Sequence, residues 1–376
     1  MKDLCKSSQQ LRNKEVKVLL IARYAPGQIG GGQAKFAEYL MESLSGRVSM
    51  FNVSIPHNVG LSRGKRLWQA LKIFKSALKL SWKEKIGVAH IFAAPNRTAF
   101  YEKLLLALIL KSIGVKVIIN FRGAFDKHHK SWTKLERVVI KHLMSDRFFF
   151  LCQHKKMANY LDSDCFKIAR DKVAVIYNGI EIASEAPVER SIIKRTIKFT
   201  YAGSLSRAKG FFVILDAVKE LVSRGVNDFE LHLFGHWEVE QEKQSALRFI
   251  DENNLNNFFS FAGNVSREVL HKHFHSMDVL LLPSYEEGFP NIILEAFNTG
   301  VVVASTDVGA IPEIILDKSN GLLFSPGDAN RLSDIMMSII DEPRNLTVLQ
   351  ATAWHQLPRF SLKQSLNNYE DIYLKL

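Results

Sequence analysis

Pro283-Ser-Tyr-Glu-Glu-Gly-Phe-Pro-Asn-Ile-Ile-Leu-Glu295 closes a buried apolar run at 279–283 and opens a helical one at 291–299. A strand that turns through Gly and Pro into a helix is half of a βα unit. Gly288 permits the tight turn, and Pro290 suits a first helical turn. The free backbone N–H groups at such a helix start favour an anion, for example a diphosphate. Glu287 lies in the loop and Glu295 about one turn inside the helix. Two carboxylates so spaced can accept hydrogen bonds from hydroxyls at two points along one extended ligand. Taken alone, the segment also reads as an exposed turn before an amphipathic helix.

Working outward, the same grammar repeats. Apolar strand candidates at 197–202, 230–234, 258–262, 301–305 and 321–324 alternate with helical patterns such as 211–224. Two further loops end strands: Ala202-Gly-Ser-Leu-Ser-Arg-Ala-Lys-Gly210 and Thr306-Asp-Val-Gly-Ala-Ile-Pro-Glu313. Lys209, at a strand's C-terminal end before a helix, is placed to neutralise charge building on a leaving phosphate, although a lone lysine there is commonly a surface residue. The first half alternates likewise, with strands at 16–22, 48–53, 88–92, 115–121, 147–151 and 173–176. A turn-rich glycine stretch follows the first of them, and a helix at 33–44 follows that. Hydrophobic periodicity breaks at 181–195, which reads as a linker. Alternation of this kind predicts parallel sheets covered on both faces, with ligands beyond the C-terminal strand ends.

Composition narrows the partners. The chain has 376 residues, 47% hydrophobic and 23% charged, which excludes a disordered or disulfide-scaffold protein. Its formal charge of +12 is unevenly divided: residues 1–188 hold 32 Lys/Arg and 14 Asp/Glu (+18), residues 189–376 hold 18 and 24 (−6). Cys5, Cys152 and Cys165 are too scattered for a metal cluster or disulfide framework, which suits a reduced, cytoplasmic compartment. The opening MKDLCKSSQQLRNKE has no apolar core, so no secretory signal is expected, and no apolar run is long enough to span a membrane. Between Leu61 and Lys85 stand eight Lys/Arg and one acid. On a helix, Leu67, Leu71, Phe74, Leu78 and Trp82 form one stripe, with Lys72, Lys75, Lys79 and Lys83 beside it. That is the composition of an interfacial helix drawn to anionic lipid. A surface helix packing its apolar stripe on the first sheet has the same composition. No nucleic-acid recognition module is present.

Motifs across residues 201–327 resemble the donor domain of the family-four retaining glycosyltransferases, glycosyl transferases group 1. The matching landmarks are Tyr201-Ala-Gly203, Lys209-Gly210, Leu233-Phe-Gly235, Phe261-Ala-Gly263, Pro283-Ser284, Glu287-Gly-Phe-Pro-Asn291, Leu294-Glu-Ala296, Gly309, Pro312-Glu313 and Asn320-Gly-Leu322. In the first half, Gly31-Gly32 and Asn178-Gly-Ile180 are similar to that family more weakly. The resemblance implies the GT-B fold, an α/β architecture of two Rossmann-like doubly wound parallel-sheet domains facing a central cleft. The expected domains are 1–188 on the acceptor side and 189–356 for the nucleotide-sugar, with 357–376 a helix crossing back to the first.

The resemblance also implies roles. Glu295 would bind ribose hydroxyls, and Glu287 hydroxyls of the transferred sugar beside the Gly288, Phe289, Pro290 and Asn291 backbone. Lys209 would hold the diphosphate as it departs, near Gly203, while Gly31 and Gly32 would let the first domain's backbone approach donor and acceptor. Transfer would proceed with retention, from a UDP-sugar, with neither cofactor nor metal. The expected acceptor is a lipid-linked, lipopolysaccharide or capsule-type glycan at the inner membrane face. Two positions depart from the family pattern. Ser204 replaces an arginine that shares the phosphate with the lysine, and Arg207 stands near enough in sequence to substitute. Arg122-Gly123 stands where many members have His-Gly. Arginine there can contact phosphate or an anionic acceptor but cannot accept a hydrogen bond. Lys209, Glu287 and Arg122 are therefore the candidate catalytic residues. A non-catalytic GT-B scaffold binding a polyanion or membrane, and a sugar-nucleotide epimerase, are the alternatives. Asp162-Ser-Asp164 and the trio His271, His273 and His275 mimic metal motifs but read as ordinary helix-associated residues.

Overall fold

The computed structural model describes residues 15–24, 32–44, 46–56, 62–93, 97–122, 132–144, 147–164, 166–187 and 196–376. Gly31, Gly123, Cys5 and Cys165 lie outside them. The chain divides into two compact units, Met1–Gly179 with Leu362–Leu376, and Ile180–Ser361. The sequence reading placed these divisions after Val188 and Gln356. Residues 181–187 belong instead with the second unit, where Ala183 N–H donates to Asn298 Oδ1 and Asn298 Nδ2 to the Glu181 carbonyl. The 3₁₀ turn Leu357–Phe360 stays there too, because the Phe360 carbonyl accepts from Ile180 N–H.

Unit 1 runs β1 (Val16–Ala22), α1 (Gly32–Glu42), β2 (Val48–Ser54), α2 (Arg63–Glu84), β3 (Val88–Ala93), α3 (Arg97–Ser112), β4 (Lys116–Phe121), α4 (Lys134–Met144), β5 (Phe149–Cys152), α5 (Lys155–Asp162) and β6 (Val173–Val175). The strands pair in parallel in the order β2-β1-β3-β4-β5-β6. Alternate residues of one strand feed opposite layers. Leu19 and Ile21 pack with Ile73, Leu104, Ile140 and Met157 from α2 to α5. Val18 and Leu20 pack with Phe36 and Leu40 of α1 and with Leu366, Tyr369 and Tyr373 of the C-terminal helix Leu362–Lys375. Both faces are covered, which is why β1 reads as a continuous apolar run.

Several polar groups buried between sheet and C-terminal helix bond to one another. His90 Nδ1 meets Tyr373 Oη at 2.6 Å, and Asn120 Nδ2 reaches both His90 Nε2 (3.0 Å) and Tyr369 Oη (3.1 Å). Burial, reinforced by the nearby Arg122 charge, pushes the His90 pKa down to about 3. The unfolded chain takes that proton near pH 6.5 and the fold refuses it, so stability falls as pH drops from about 6.5 towards 3. This group alone should cost unit 1 about 2 kcal/mol by pH 5. Urea melts at pH 7 and pH 5 should therefore differ more for the wild type than for His90→Gln; equal differences would refute the assignment.

Helix α2 does not pack its whole apolar stripe on the first sheet. Its buried line is Ile73, Ala77 and Ser81. Of the predicted apolar stripe only Phe74 and Leu78 are partly covered, while Leu67, Leu71 and Trp82 stand out in solvent beside Trp68, with Trp82 87% exposed. Lys72, Lys75, Lys79 and Lys83 are exposed along the same helix, and the Lys72 ammonium lies 5.4 Å from the Trp68 ring centre. No described helix is long and apolar enough to cross a membrane.

Unit 2 runs β7 (Ile197–Ala202), α6 (Phe211–Ser223), β8 (Phe229–Phe234), α7 (Glu240–Glu252), β9 (Phe259–Gly263), α8 (Arg267–Phe274), β10 (Val279–Leu282), α9 (Asn291–Asn298), β11 (Val302–Thr306), α10 (Ile311–Ile314), β12 (Leu322–Phe324), α11 (Ala329–Asp341) and α12 (Asn345–Gln356). Its parallel order is β12-β11-β10-β7-β8-β9. Strand order therefore reverses between β7 and β10, and at such a switch point the loops leaving the two strands diverge and open a crevice.

Candidate functional site

The loop after β7 and the loop after β10 flank that switch point, and they touch. Tyr285 N–H donates to the Ala208 carbonyl at 3.2 Å. Gly210 has φ +76°, and a Cβ there would stand 1.9 Å from the Pro283 carbonyl oxygen. Only glycine meets both demands at once. The loop after β11 closes on the same place: Ala310 N–H donates to the Gly288 carbonyl at 3.0 Å, and a Cβ on Gly309 would stand 1.9 Å from the Glu287 carbonyl oxygen. Three strand-end loops separated by up to a hundred residues thus share one small volume.

Their side chains form a compact ionic cluster. Lys209 Nζ and Glu287 Oε1 are 2.7 Å apart, and Ser284 Oγ donates to the same oxygen at 2.8 Å. Ser284 is held in turn by Thr306, whose Oγ1 donates to the Ser284 carbonyl at 2.6 Å. The carboxylate is mostly covered, the ammonium about one-third exposed. Below them Tyr201 donates to the Ser204 carbonyl at 2.5 Å. Burial raises the Tyr201 phenol's pKa well above its ordinary range, with Glu287 and Glu238 adding to the effect.

The second glutamate is also paired. Arg267, at the start of α8, donates from Nη2 to Glu295 Oε1 at 2.6 Å. The sequence reading missed Arg267, which lies 28 residues away and in no strand-end loop; only the Ser266 cap two elements earlier marks where its helix begins. Asn291 opens α9, Pro290 sits just outside it as the cap, not inside the first turn, and Phe289 is buried against Phe360. Gly203 N–H donates to the Phe234 carbonyl at 2.9 Å. Arg207 does not join Lys209 in this structure: its guanidinium stacks 3.8 Å from the Phe212 ring centre of α6. Arg122 is in unit 1 at the end of β4, and Gly32 is the first residue of α1. Asp162 pairs with Arg170 at 2.7 Å and Asp164 with Lys167 at 3.5 Å. His271 packs edge-on to His275, while His273 packs on Phe234. Among the described residues no three His, Cys, Asp or Glu are grouped to hold a metal ion.

Known proteins bear on this geometry in both sequence and fold. The chain is 22% identical over 336 residues to an uncharacterized glycosyltransferase of Methanocaldococcus jannaschii, covering 86% of this chain and 84% of that one. It is 26% identical to the amylovoran biosynthesis glycosyltransferase AmsK of Erwinia amylovora, over 61% of this chain and 56% of that one. Among solved structures, HepE of Anabaena in complex with UDP-glucose has the same fold, with a TM-score of 0.73 at 16% identity, covering 96% of this chain and 100% of that one. The chain is thus a glycosyltransferase enzyme built on the GT-B fold. Within that class, residues 196–342 match the family model of the glycosyl transferases group 1, and this stretch contains every loop of the ionic cluster.

Proposed function

We propose that this glycosyltransferase moves a sugar from a UDP-sugar, with retention, to a lipid-linked or surface-polysaccharide glycan at the inner face of the cytoplasmic membrane. The observation that carries the donor half is the Lys209–Glu287 pair at the switch point of unit 2. An ammonium already held at a strand-end crevice needs little reorganisation to meet a diphosphate, and meeting it releases Glu287 for sugar hydroxyls. Lys209 then stabilises negative charge as the glycosidic bond to the diphosphate lengthens. The same cation does what a metal would otherwise do, so no resident metal is invoked. Glu295, released from Arg267 or sharing it, accepts from the ribose hydroxyls. HepE was crystallised with UDP-glucose and AmsK is named for polysaccharide synthesis, which supports the donor and acceptor classes. The exposed tryptophans and lysines of α2 support the membrane face.

Isothermal titration with UDP tests the donor site. A hydrogen bond to a charged acceptor is worth about 1.5–3 kcal/mol, so Glu295→Ala should bind UDP roughly 10- to 100-fold more weakly. No binding by the wild type would overturn the donor assignment. Undiminished binding by the variant would move the ribose away from Glu295.

A further inference from the structure

Unit 1 carries a separate polar constellation at the C-terminal ends of three neighbouring strands. Arg122 follows β4, Gln153 follows β5, and Asn178 lies three residues beyond β6. All three are buried, Arg122 to 2% exposure. Arg122 Nη2 and Gln153 Nε2 both donate to Asn178 Oδ1, each at 2.8 Å. The guanidinium carbon lies 4.4 Å from the Phe36 ring centre and 4.8 Å from that of Phe92. Among the described residues, Nε and Nη1 of Arg122 nevertheless make no hydrogen bond of good geometry. Among the described residues no carboxylate pairs with this cation.

A purely structural arginine would be expected to spend its donors. Aromatic rings attract the positive charge, but they do not satisfy N–H groups as an oxygen does. Burial pushes the Arg122 pKa below its ordinary value, and the nearby Tyr369 hydroxyl works against that shift. The neighbouring His90 is held neutral and Gln153 and Asn178 are amides, so among the described residues the Arg122 charge has no carboxylate beside it. Guanidinium edges with free N–H groups match the oxygens of phosphate. The position matches too, because parallel sheets take ligands beyond their C-terminal ends.

We propose that Arg122 receives a phosphate group carried by the acceptor, and hence that the acceptor is a phosphorylated alcohol. This rests on the glycosyl-transfer reading above, in which Lys209 of unit 2 takes the donor's diphosphate and Arg122 takes a second, different phosphate. Asn178 and Gln153 are positioning residues that hold the guanidinium; Arg122 is the one that touches substrate. Arg122 also explains the departure from His-Gly at this place: a neutral histidine ring would supply neither the charge nor the paired donors.

The test uses the full chain, titrated with glycerol 3-phosphate (a monoester), glycerophosphoglycerol (the diester of a lipid headgroup) and glycerol, each with and without saturating UDP. At least one ester should bind wild type in both conditions while glycerol does not; which ester binds separates a free phosphate from a lipid headgroup. Arg122→Gln should weaken that binding at least tenfold and leave the UDP dissociation constant within about twofold. Arg122→Lys, which keeps the charge but not the paired donors, should weaken it by a smaller, still measurable factor. Melting temperatures show whether each variant is folded, and Arg122→Lys carries the comparison if Arg122→Gln is not. Equal ester binding by wild type and a folded Arg122→Gln would overturn the proposal, as would no binding to wild type. Competition between ester and UDP would overturn it as well, by moving Arg122's phosphate to the donor. Failure of UDP alone to bind would instead refute the donor reading and leave the ester arms informative.

Discussion

Lys209→Ala should lower kcat on the order of 10²–10³-fold, the usual cost of removing one preorganised donor from a developing charge. The loss belongs to the transition state because the diphosphate gains negative charge as the sugar leaves it. On the proposed donor reading the KM should change less than kcat, since backbone N–H groups at the start of α9 would share the diphosphate. Stability should hardly change. Lys209 is partly exposed, so its pair with Glu287 contributes at most about 1 kcal/mol, and Ser284 still donates to the carboxylate. Steady-state kinetics with a UDP-sugar panel, alongside thermal melts, check this. A folded variant turning over within a few-fold of wild type would remove Lys209 from the mechanism. Lysine's compact charge matters here: Arg207 is committed to Phe212 and offers no ready replacement.

The second large effect concerns lipid. Vesicles containing anionic phospholipid should sediment the wild-type chain, and changing Lys72, Lys75, Lys79 and Lys83 together to Ser should weaken binding on the order of 10²–10³-fold, at about 1 kcal/mol per lysine near the surface. Raising salt should produce the same trend. Trp82→Ser should act differently, weakening binding at every salt concentration, because an indole 87% exposed in water loses that contact with water when it enters the headgroup region. Equal binding to neutral and anionic vesicles would refute the electrostatic part. Wild-type levels of binding by Trp82→Ser would refute insertion.

Much of the fold was legible because buried parallel strands advertise themselves. Val18–Ala22 and Val279–Leu282 are apolar without interruption, since both of their faces meet helices. The donor-side loops were legible because Gly210, Gly309 and Pro290 stand at fixed places relative to strand ends. What stayed hidden depends on which way a helix turns and on what lies across space. A helical wheel finds the apolar stripe of α2 but does not say which flank meets the sheet; small Ala77 and Ser81 lie against it, leaving Leu67 and Leu71 outside. Arg267 pairs with Glu295 through folding, and nothing in local spacing signals it. The buried set of His90, Asn120, Tyr369 and Tyr373 joins residues up to 283 apart.

That last set has a consequence for how the protein is made. Unit 2 is one uninterrupted stretch, Ile180–Ser361, and the residues that complete unit 1 come after it. During synthesis unit 2 therefore has all its strands before the earlier unit has its last helix. Until Tyr369 and Tyr373 leave the ribosome, His90 and Asn120 lack their hydroxyl partners, and the layer of Val18 and Leu20 lacks one of its two covering helices. The first-made half is thus the last to mature, and it waits in a form that exposes apolar surface and is open to chaperones.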